Sequence, residues 1–243
     1  MRVTAMLAWF DEPPALLRQA VSSAATIADE IVAVDGAYQQ TPNPKPRSPQ
    51  RQTEAIYRAA VKAGIRCAIV RPTDIWEGQV AKRDYMIQIA SEHSDWVFPL
   101  DADWIVTGDR EAIRAELEAS TADEIEVQLA EPLNPKRALE DIPVHQWHRD
   151  YAGETEWVPL LYRSMPEMHC EQIHWAYTGL KDGERIGLWG GKTWWPAGEM
   201  GRLKADCLFE HRCLFRADKH ILRNVTYAAV RADEVDRMAG REL

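Results

Sequence analysis

No stretch of this 243-residue chain approaches the run of about twenty apolar residues that a membrane helix requires. Its first residues also lack the basic segment, apolar core and small-residue cleavage site of a secretory signal. A soluble, cytoplasmic protein with no membrane span is therefore expected. Positive charge is short as well, with 29 Lys and Arg against 38 Asp and Glu and a formal net charge of -9. Nucleic-acid grooves draw their affinity from lysine and arginine, so nucleic acid is not an expected partner and any basic patch must be local. Cysteine is scarce: Cys67, Cys170, Cys207 and Cys213 form no CxxC pair, which suits a reducing compartment. A zinc set drawn from Cys207, His211 and Cys213 with Cys170 or His174 fits no usual structural spacing, and buried free thiols are the simpler reading. Internal repeats and low-complexity tracts are missing too.

What is present is an alternation of strand-like and helix-like segments over the first hundred residues, the pattern of a parallel sheet covered by helices. "VTAMLAWF" is a compact apolar run from Val3 to Phe10, and Pro13 and Pro14 then open a helix through "ALLRQAVSSAATI". "EIVAVDG", Glu30 to Gly36, is a second strand, followed by a loop carrying Pro42, Pro44, Pro46 and Pro49. "RQTEAIYRAAVKAG" predicts a helix stopped at Gly64, Ile65 to Val70 a third strand, and "QVAKRDYMIQIASEH" a third helix. "DWVFPLDAD", Asp95 to Asp103, is a fourth strand running into carboxylates, and "DREAIRAELEAS" a further helix. Beyond it the grammar becomes irregular. Strand-like pieces at "EIEVQLA", "WVPLLYR" and "EQIHWAY" are separated by loops rich in tryptophan, proline and glycine, and apolar periodicity predicts a closing helix from about Phe215 to Met238. The reading is one α/β domain over 1–243, with a nucleotide-binding half at 1–107 and an irregular, acceptor-binding half at 108–243.

In open α/β sheets ligands gather at the carboxyl ends of strands, where Asp35, Asp101 and Asp103 fall. Strand side chains alternate faces, so Asp101 and Asp103 project to one side if the extended conformation persists through Ala102. Two hard oxygen ligands so placed suit Mg2+ or Mn2+, which take one or two carboxylates plus phosphate oxygens and water. Aspartate is also common in solvated loops after strands, but Asp101 follows Trp96, Val97, Phe98 and Leu100, where an uncompensated carboxylate costs desolvation energy and a cation would offset it. Lys82 and Arg83, on the preceding helix, are the candidate partners of a donor diphosphate.

The opening apolar strand, the second strand ending in "VDG", the helix carrying "KRD" and then "DWVFPLDAD" together resemble the family-2 type of GT-A glycosyltransferases. The resemblance implies a Rossmann-like, mostly parallel sheet flanked by helices. It implies that Asp35 binds the nucleoside and that Asp101 and Asp103 bind ribose and metal. Asp84 stands where that family usually has asparagine. In the second half, "VPLLYR", "EQIHWAY" and "LFEHRCLFRADKHILRNVTYAAV" are similar to bacterial glycosyltransferases that modify peptides, proteins or lipopolysaccharide cores. By that likeness His174 and His211 match two family histidines, and Lys219, Arg223 and Asn224 a helical motif. It makes His211 a third metal-ligand candidate. Arg212 and Arg216 flank it, placed either to neutralise a leaving diphosphate or to pair with nearby acids. The family's glutamate after the first histidine is Trp175 here, which leaves Glu171, Asp182 and Glu199 as alternatives for the catalytic base.

"GLWGGKTWWPAGEMG", Gly187 to Gly201, combines flexible glycines with Trp189, Trp194 and Trp195, and is expected either to close as a lid that brings Lys192 to the diphosphate or to pack in the core. Trp9 and Trp76 near strand ends could frame the nucleotide base, although core packing is the simpler reading. The expected activity is metal-dependent transfer of a sugar from a nucleotide-diphosphate sugar to an acceptor that is a protein, glycan or small molecule. A nucleotidyltransferase is the first rival, but it would normally bring a glycine-rich basic loop after the first strand, and "AWFDEPP" offers neither. A non-catalytic glycan- or partner-binding module is the second.

Overall fold

The computed structural model describes residues 1–130, 155–172, 176–188 and 195–211. Strands β1 (Val3–Ala8), β2 (Glu30–Val34), β3 (Arg66–Val70) and β4 (Trp96–Asp101) are joined by helices α1 (Pro14–Ala24), α2 (Gln50–Ala63) and α3 (Gln79–Ser91). Their order in the sheet is β3-β2-β1-β4, all parallel, so the direction of winding reverses between β1 and β4. Local chemistry accounts for the helix ends. Pro14 opens α1 where no amide partner is required, and Gly64 closes α2 in the left-handed conformation. Asp109 caps α4 (Arg110–Ala119) by accepting from the amides of Glu111 and Ala112.

The second half adds strands to the same sheet. β5 (Trp104–Gly108), β6 (Glu124–Ala130), β7 (Thr155–Arg163), β11 (Met200–Arg202) and β12 (Cys207–His211) extend it beyond β4 in the order β7-β6-β12-β5. β7 is antiparallel to both β4 and β6, and β5 is antiparallel to β12. β11 lies parallel along the first half of β6 and β12 along the second half. A separate three-stranded antiparallel sheet is built from β8 (His169–Gln172), β9 (Ala176–Lys181) and β10 (Glu184–Gly187).

Two cores result. On one face Leu17, Ala20, Ile56, Ile113 and Leu117 of α1, α2 and α4 cover the sheet, burying Trp9, Trp96, Phe98, Trp104 and Phe209. On the other, Met86 and Ile87 of α3 pack with Val32, Val97, Tyr162, Met168 and Tyr177, so α3 and the small sheet share that face. This is an α/β fold with a large, mostly parallel sheet flanked by helices, consistent with the Rossmann-like GT-A architecture. Among the described residues no helix is long and apolar enough to cross a membrane. The predicted closing helix from Phe215 to Met238 lies outside the described residues.

Cys67, Cys170 and Cys207 are free thiols. Burial pushes Cys67 up to about 11 and Cys207 up to about 12, with Glu30 and Asp206 adding to the effect, so both stay protonated near neutrality. Cys207 pairs with Gly108 and His211 with Trp104, at opposite ends of a five-residue strand about 13 Å long, which excludes one zinc ion held by both.

Candidate functional site

The parallel strands deliver their acids to one end of the sheet. Ala8, the last residue of β1, is in register with Val34 on one side and Asp101 on the other, so Asp35 and Asp101 flank the β1 terminus at the reversal of strand order. Asp101 is 32% exposed and lies 3.5 Å from Arg83, whose own side chain is 5% exposed. Residues 102 and 103 form a turn, and β5 then runs back antiparallel to β12. The expected extended run through Ala102 is therefore broken: Asp101 pairs with α3, whereas Asp103 turns inward to β12. Asp103 Oδ2 lies 3.8 Å from His211 Nε2, the two side chains being 2% and 9% exposed. His211 reaches it because the β12 register sets His211 opposite Trp104, whose indole meets the imidazole edge to face with centroids 6.1 Å apart.

Asp103 and His211 stand at a separation that one divalent cation, about 2 Å from each donor atom, could bridge. Asp101 would join them only by leaving Arg83. Among the described residues there is no group of three or more His, Cys, Asp or Glu side chains arranged to hold a metal ion, so Asp101, Asp103 and His211 do not form a ready three-ligand set.

Asp35, the expected nucleoside contact, is held within the proline-rich loop. Its side chain is fully buried and accepts from the Gly36 amide at 2.7 Å, the Ser48 amide at 2.9 Å, the Ser48 hydroxyl at 2.5 Å and Arg71 Nε at 3.4 Å. It thereby fastens both ends of the proline-rich loop, and a nucleoside would reach it only by displacing these donors. Gly36 sits at φ +105°, where a β-carbon would meet Pro46 O at 2.8 Å, so the loop closes over a position that needs glycine. Arg71 and Ser48 were invisible in the sequence; β3 ending in an arginine beside a serine-bearing loop is the faint signal that could have linked them.

Lys82 also departs from expectation. Its Nζ is buried and donates to the carbonyls of Trp9 and Gly36, each at 2.8 Å, and it lies 5.5 Å from the Tyr38 ring centroid. The ammonium ties the ends of β1 and β2 to α3 instead of facing a diphosphate. Burial lowers it to about 7 from 10.5, against the pull of Asp35, Glu12 and Asp101 and with Arg83 adding to the shift. Trp9 is 2% exposed in the core, as core packing requires, and Trp76, partly buried, donates its indole N–H to the Asp35 carbonyl at 2.8 Å.

Asp84, the position that differs from the resembled family, anchors the small sheet. It accepts from the Cys170 amide at 2.8 Å and from Gln88 Nε2 at 2.8 Å, and lies 3.1 Å from His169 Nδ1. Of the candidate bases, Glu171 is the extra residue of the bulge between Cys170 and Gln172, on the strand beside Asp84. Asp182 is removed from the site. With Gly183 it forms the β9–β10 hairpin turn at φ 53° and 84°, and the adjoining Lys181 pairs at 2.8 Å with Asp123 at the amino end of β6. Glu199 is removed in the same way, its amide donating to Asp123 at 2.7 Å.

The described flanks of the expected lid are pinned there too. Gly187 N donates to Pro196 O and Gly198 N to Gly187 O, both at 2.8 Å, while Trp195 is 42% exposed with Arg185 over its ring. Lys192, Trp189, Trp194, His174, Trp175, Arg212, Arg216, Lys219, Arg223 and Asn224 lie outside the described residues.

No known protein-family profile matches the chain. Among solved structures it is similar to the bifunctional IspDF from Campylobacter jejuni, at 8% sequence identity and a TM-score of 0.33, over 68% of this chain and 41% of that one. The chain thus spans well under two thirds of that protein's length.

Proposed function

We propose that the chain binds a nucleotide-diphosphate sugar at the carboxyl ends of β1, β2 and β4 and transfers the glycosyl unit to an acceptor nucleophile. The observation that carries this reading is that β4, the strand at which the winding of the sheet reverses, runs into two acids two residues apart, Asp101 paired with Arg83 and Asp103 paired with His211. Such reversal points open a crevice for a nucleotide. Asp101, the more exposed acid, accepts from donor hydroxyls. A divalent ion, Mn2+ or Mg2+, held by Asp103 and His211 would neutralise charge on the departing nucleoside diphosphate. Arg83 would donate to the same oxygens in exchange for its pair with Asp101.

Glycosyl transfer is preferred to nucleotidyl transfer because of the β1–α1 connection. Residues 9–13 contain Asp11 and Glu12 and no glycine or basic residue. Asp11 N donates to the Ser48 hydroxyl at 2.9 Å, and Glu12 N to Gln52 Oε1 at 3.0 Å. A triphosphate would meet carboxylates where a phosphate loop presents amides and lysine. Glu171 is the described carboxylate best placed to test as the acceptor's base.

The deciding assay incubates the protein and Mn2+ with nucleotide sugars, and separately with nucleoside triphosphates plus sugar phosphates. Release of nucleoside diphosphate is expected in the first arm. Pyrophosphate released in the second arm alone would assign a nucleotidyltransferase, and binding with no product in either arm a non-catalytic module.

A further inference from the structure

Helix α2 hides one stripe and shows another. Gln52, Ala55, Ile56, Ala59 and Ala60 recur at helical spacing and are buried where the helix packs on α1 and β3. The opposite stripe carries Arg51, Glu54, Tyr57, Arg58, Val61 and Lys62, all exposed. Tyr57 and Val61, one turn apart, are the two most exposed large apolar side chains among the described residues, at 57% and 61%. Trp157 and Trp195 are exposed as well, but Arg202 and Arg185 lie over their rings, and Tyr85 stands against Trp76. One apolar side chain in water is ordinary, whereas a pair set in a row of cations forms an amphipathic surface. Glu54 is the acid of the stripe, 3.6 Å from Arg58, and among the described residues Arg51 and Lys62 make no side-chain hydrogen bond or ion pair. The positive surface continues through Lys45 and Arg47, exposed on the loop that Ser48 fastens to Asp35. It stands out on a chain whose formal net charge is -9.

We propose that this stripe of α2, together with Lys45 and Arg47, is a docking surface for an anionic lipid bilayer. Exposed cations beside an aromatic and a branched apolar side chain suit a helix lying in the plane of a membrane interface, with the cations on headgroup phosphates and the apolar groups at the acyl boundary. Tyrosine fits that depth because its ring is apolar while its hydroxyl stays wet. A second copy of this chain fits worse. On a two-fold axis the stripe would meet itself and set Arg51, Arg58 and Lys62 against the same cations. Nucleic acid would use the cations and leave Val61 without a role. The rest of the chain is negative on balance and is repelled by the same bilayer, so attraction through this stripe also fixes how the molecule sits. Docking through Lys45 and Arg47 holds the carboxyl end of β2 close to the lipid, because Ser48 of the same loop is bonded to Asp35.

The full chain is sedimented with vesicles of phosphatidylcholine alone and of phosphatidylcholine containing about one third phosphatidylglycerol. Wild type should pellet with the anionic vesicles, stay in solution with the neutral ones, and be released by high salt. Each cation removed should lower partition about fivefold, so the double variant Arg51→Gln, Lys62→Gln should lose about 25-fold. Tyr57→Ser should weaken binding to the same vesicles while leaving its salt dependence unchanged. Glu54→Gln should strengthen binding, a gain that a damaged fold cannot produce. All four positions are exposed, so the variants should melt as the wild type does. Wild type that stays in solution with both kinds of vesicle, or pellets equally with both, overturns the proposal. A double variant that pellets as the wild type does overturns it too. Absence of vesicle binding together with a dimer in analytical ultracentrifugation that Tyr57→Ser dissociates would give the stripe to a second copy instead. None of these outcomes touches the donor site, which nucleotide binding in solution tests separately.

Discussion

Asp35 and Lys82 show how a residue type can be right for a site and still serve the scaffold. The sequence marks Asp35 as a carboxylate at a strand end, but its four donors come from Gly36, Ser48 and Arg71, which only the closed loop brings together. Asp35→Ala should therefore lower unfolding stability by about 2–4 kcal/mol, measured by urea denaturation, because it strands two backbone amides, a hydroxyl and a guanidinium. A stable variant with weakened nucleotide binding would instead return Asp35 to nucleoside recognition. Lys82 gives a pH signature. Below about pH 7 it is protonated in both folded and unfolded chains, and the fold bears the full cost of burying the charge. Between about 7 and 10.5 the unfolded chain holds the proton more firmly than the folded one. Stability from this group then rises with pH, by at most about 1.4 kcal/mol per unit. Wild-type stability minus that of Lys82→Met should climb from pH 7 to pH 10 and be flat below pH 7. A flat difference throughout would mean that Lys82 keeps its ordinary pKa.

At the scale of elements, the first four strands and three helices were legible because each combines periodicity with its own punctuation: Pro13 and Pro14, Gly64, the prolines before α2. The reading failed where pairing is set from far away. "DWVFPLDAD" looks like one strand through Asp103, yet the chain turns at residues 102 and 103 so that Trp104–Gly108 can pair with Cys207–His211, about a hundred residues later. No local pattern encodes that partner. The place of Asp182 was hidden for the same reason: an Asp-Gly turn is a hairpin signal, but only the partner strands put its tip near Asp123 at the amino end of β6. The α3–β8 junction, by contrast, hangs on one carboxylate. Asp84→Ala should cost about 1–2 kcal/mol and speed hydrogen exchange at the Cys170 amide. Protection of that amide at the wild-type level would show that β8 is held by its strand partners alone.

For the whole molecule, the proposed function asks a negatively charged chain to bind an anionic diphosphate, and the strand ends are acidic: Glu12, Asp35 and Asp101 act on Lys82, Asp101 pairs with Arg83, and Asp103 pairs with His211. Like charges this close oppose binding unless a cation intervenes, which makes metal dependence the central consequence of the account. The acids at the carboxyl ends could be read from the sequence, whereas the division of labour among them could not. Asp35 closes a loop, Asp101 pairs with Arg83, and Asp103 pairs with His211, because three different elements approach the same strand ends. The most direct measurement is calorimetric titration of the nucleotide sugar in Mn2+ and in EDTA, for wild type and Asp103→Asn. The account predicts binding in Mn2+, at least a tenfold loss in EDTA, and a similar loss in Asp103→Asn even with Mn2+ present. Equal affinity in Mn2+ and EDTA, or an Asp103→Asn variant that binds as the wild type does, would contradict it.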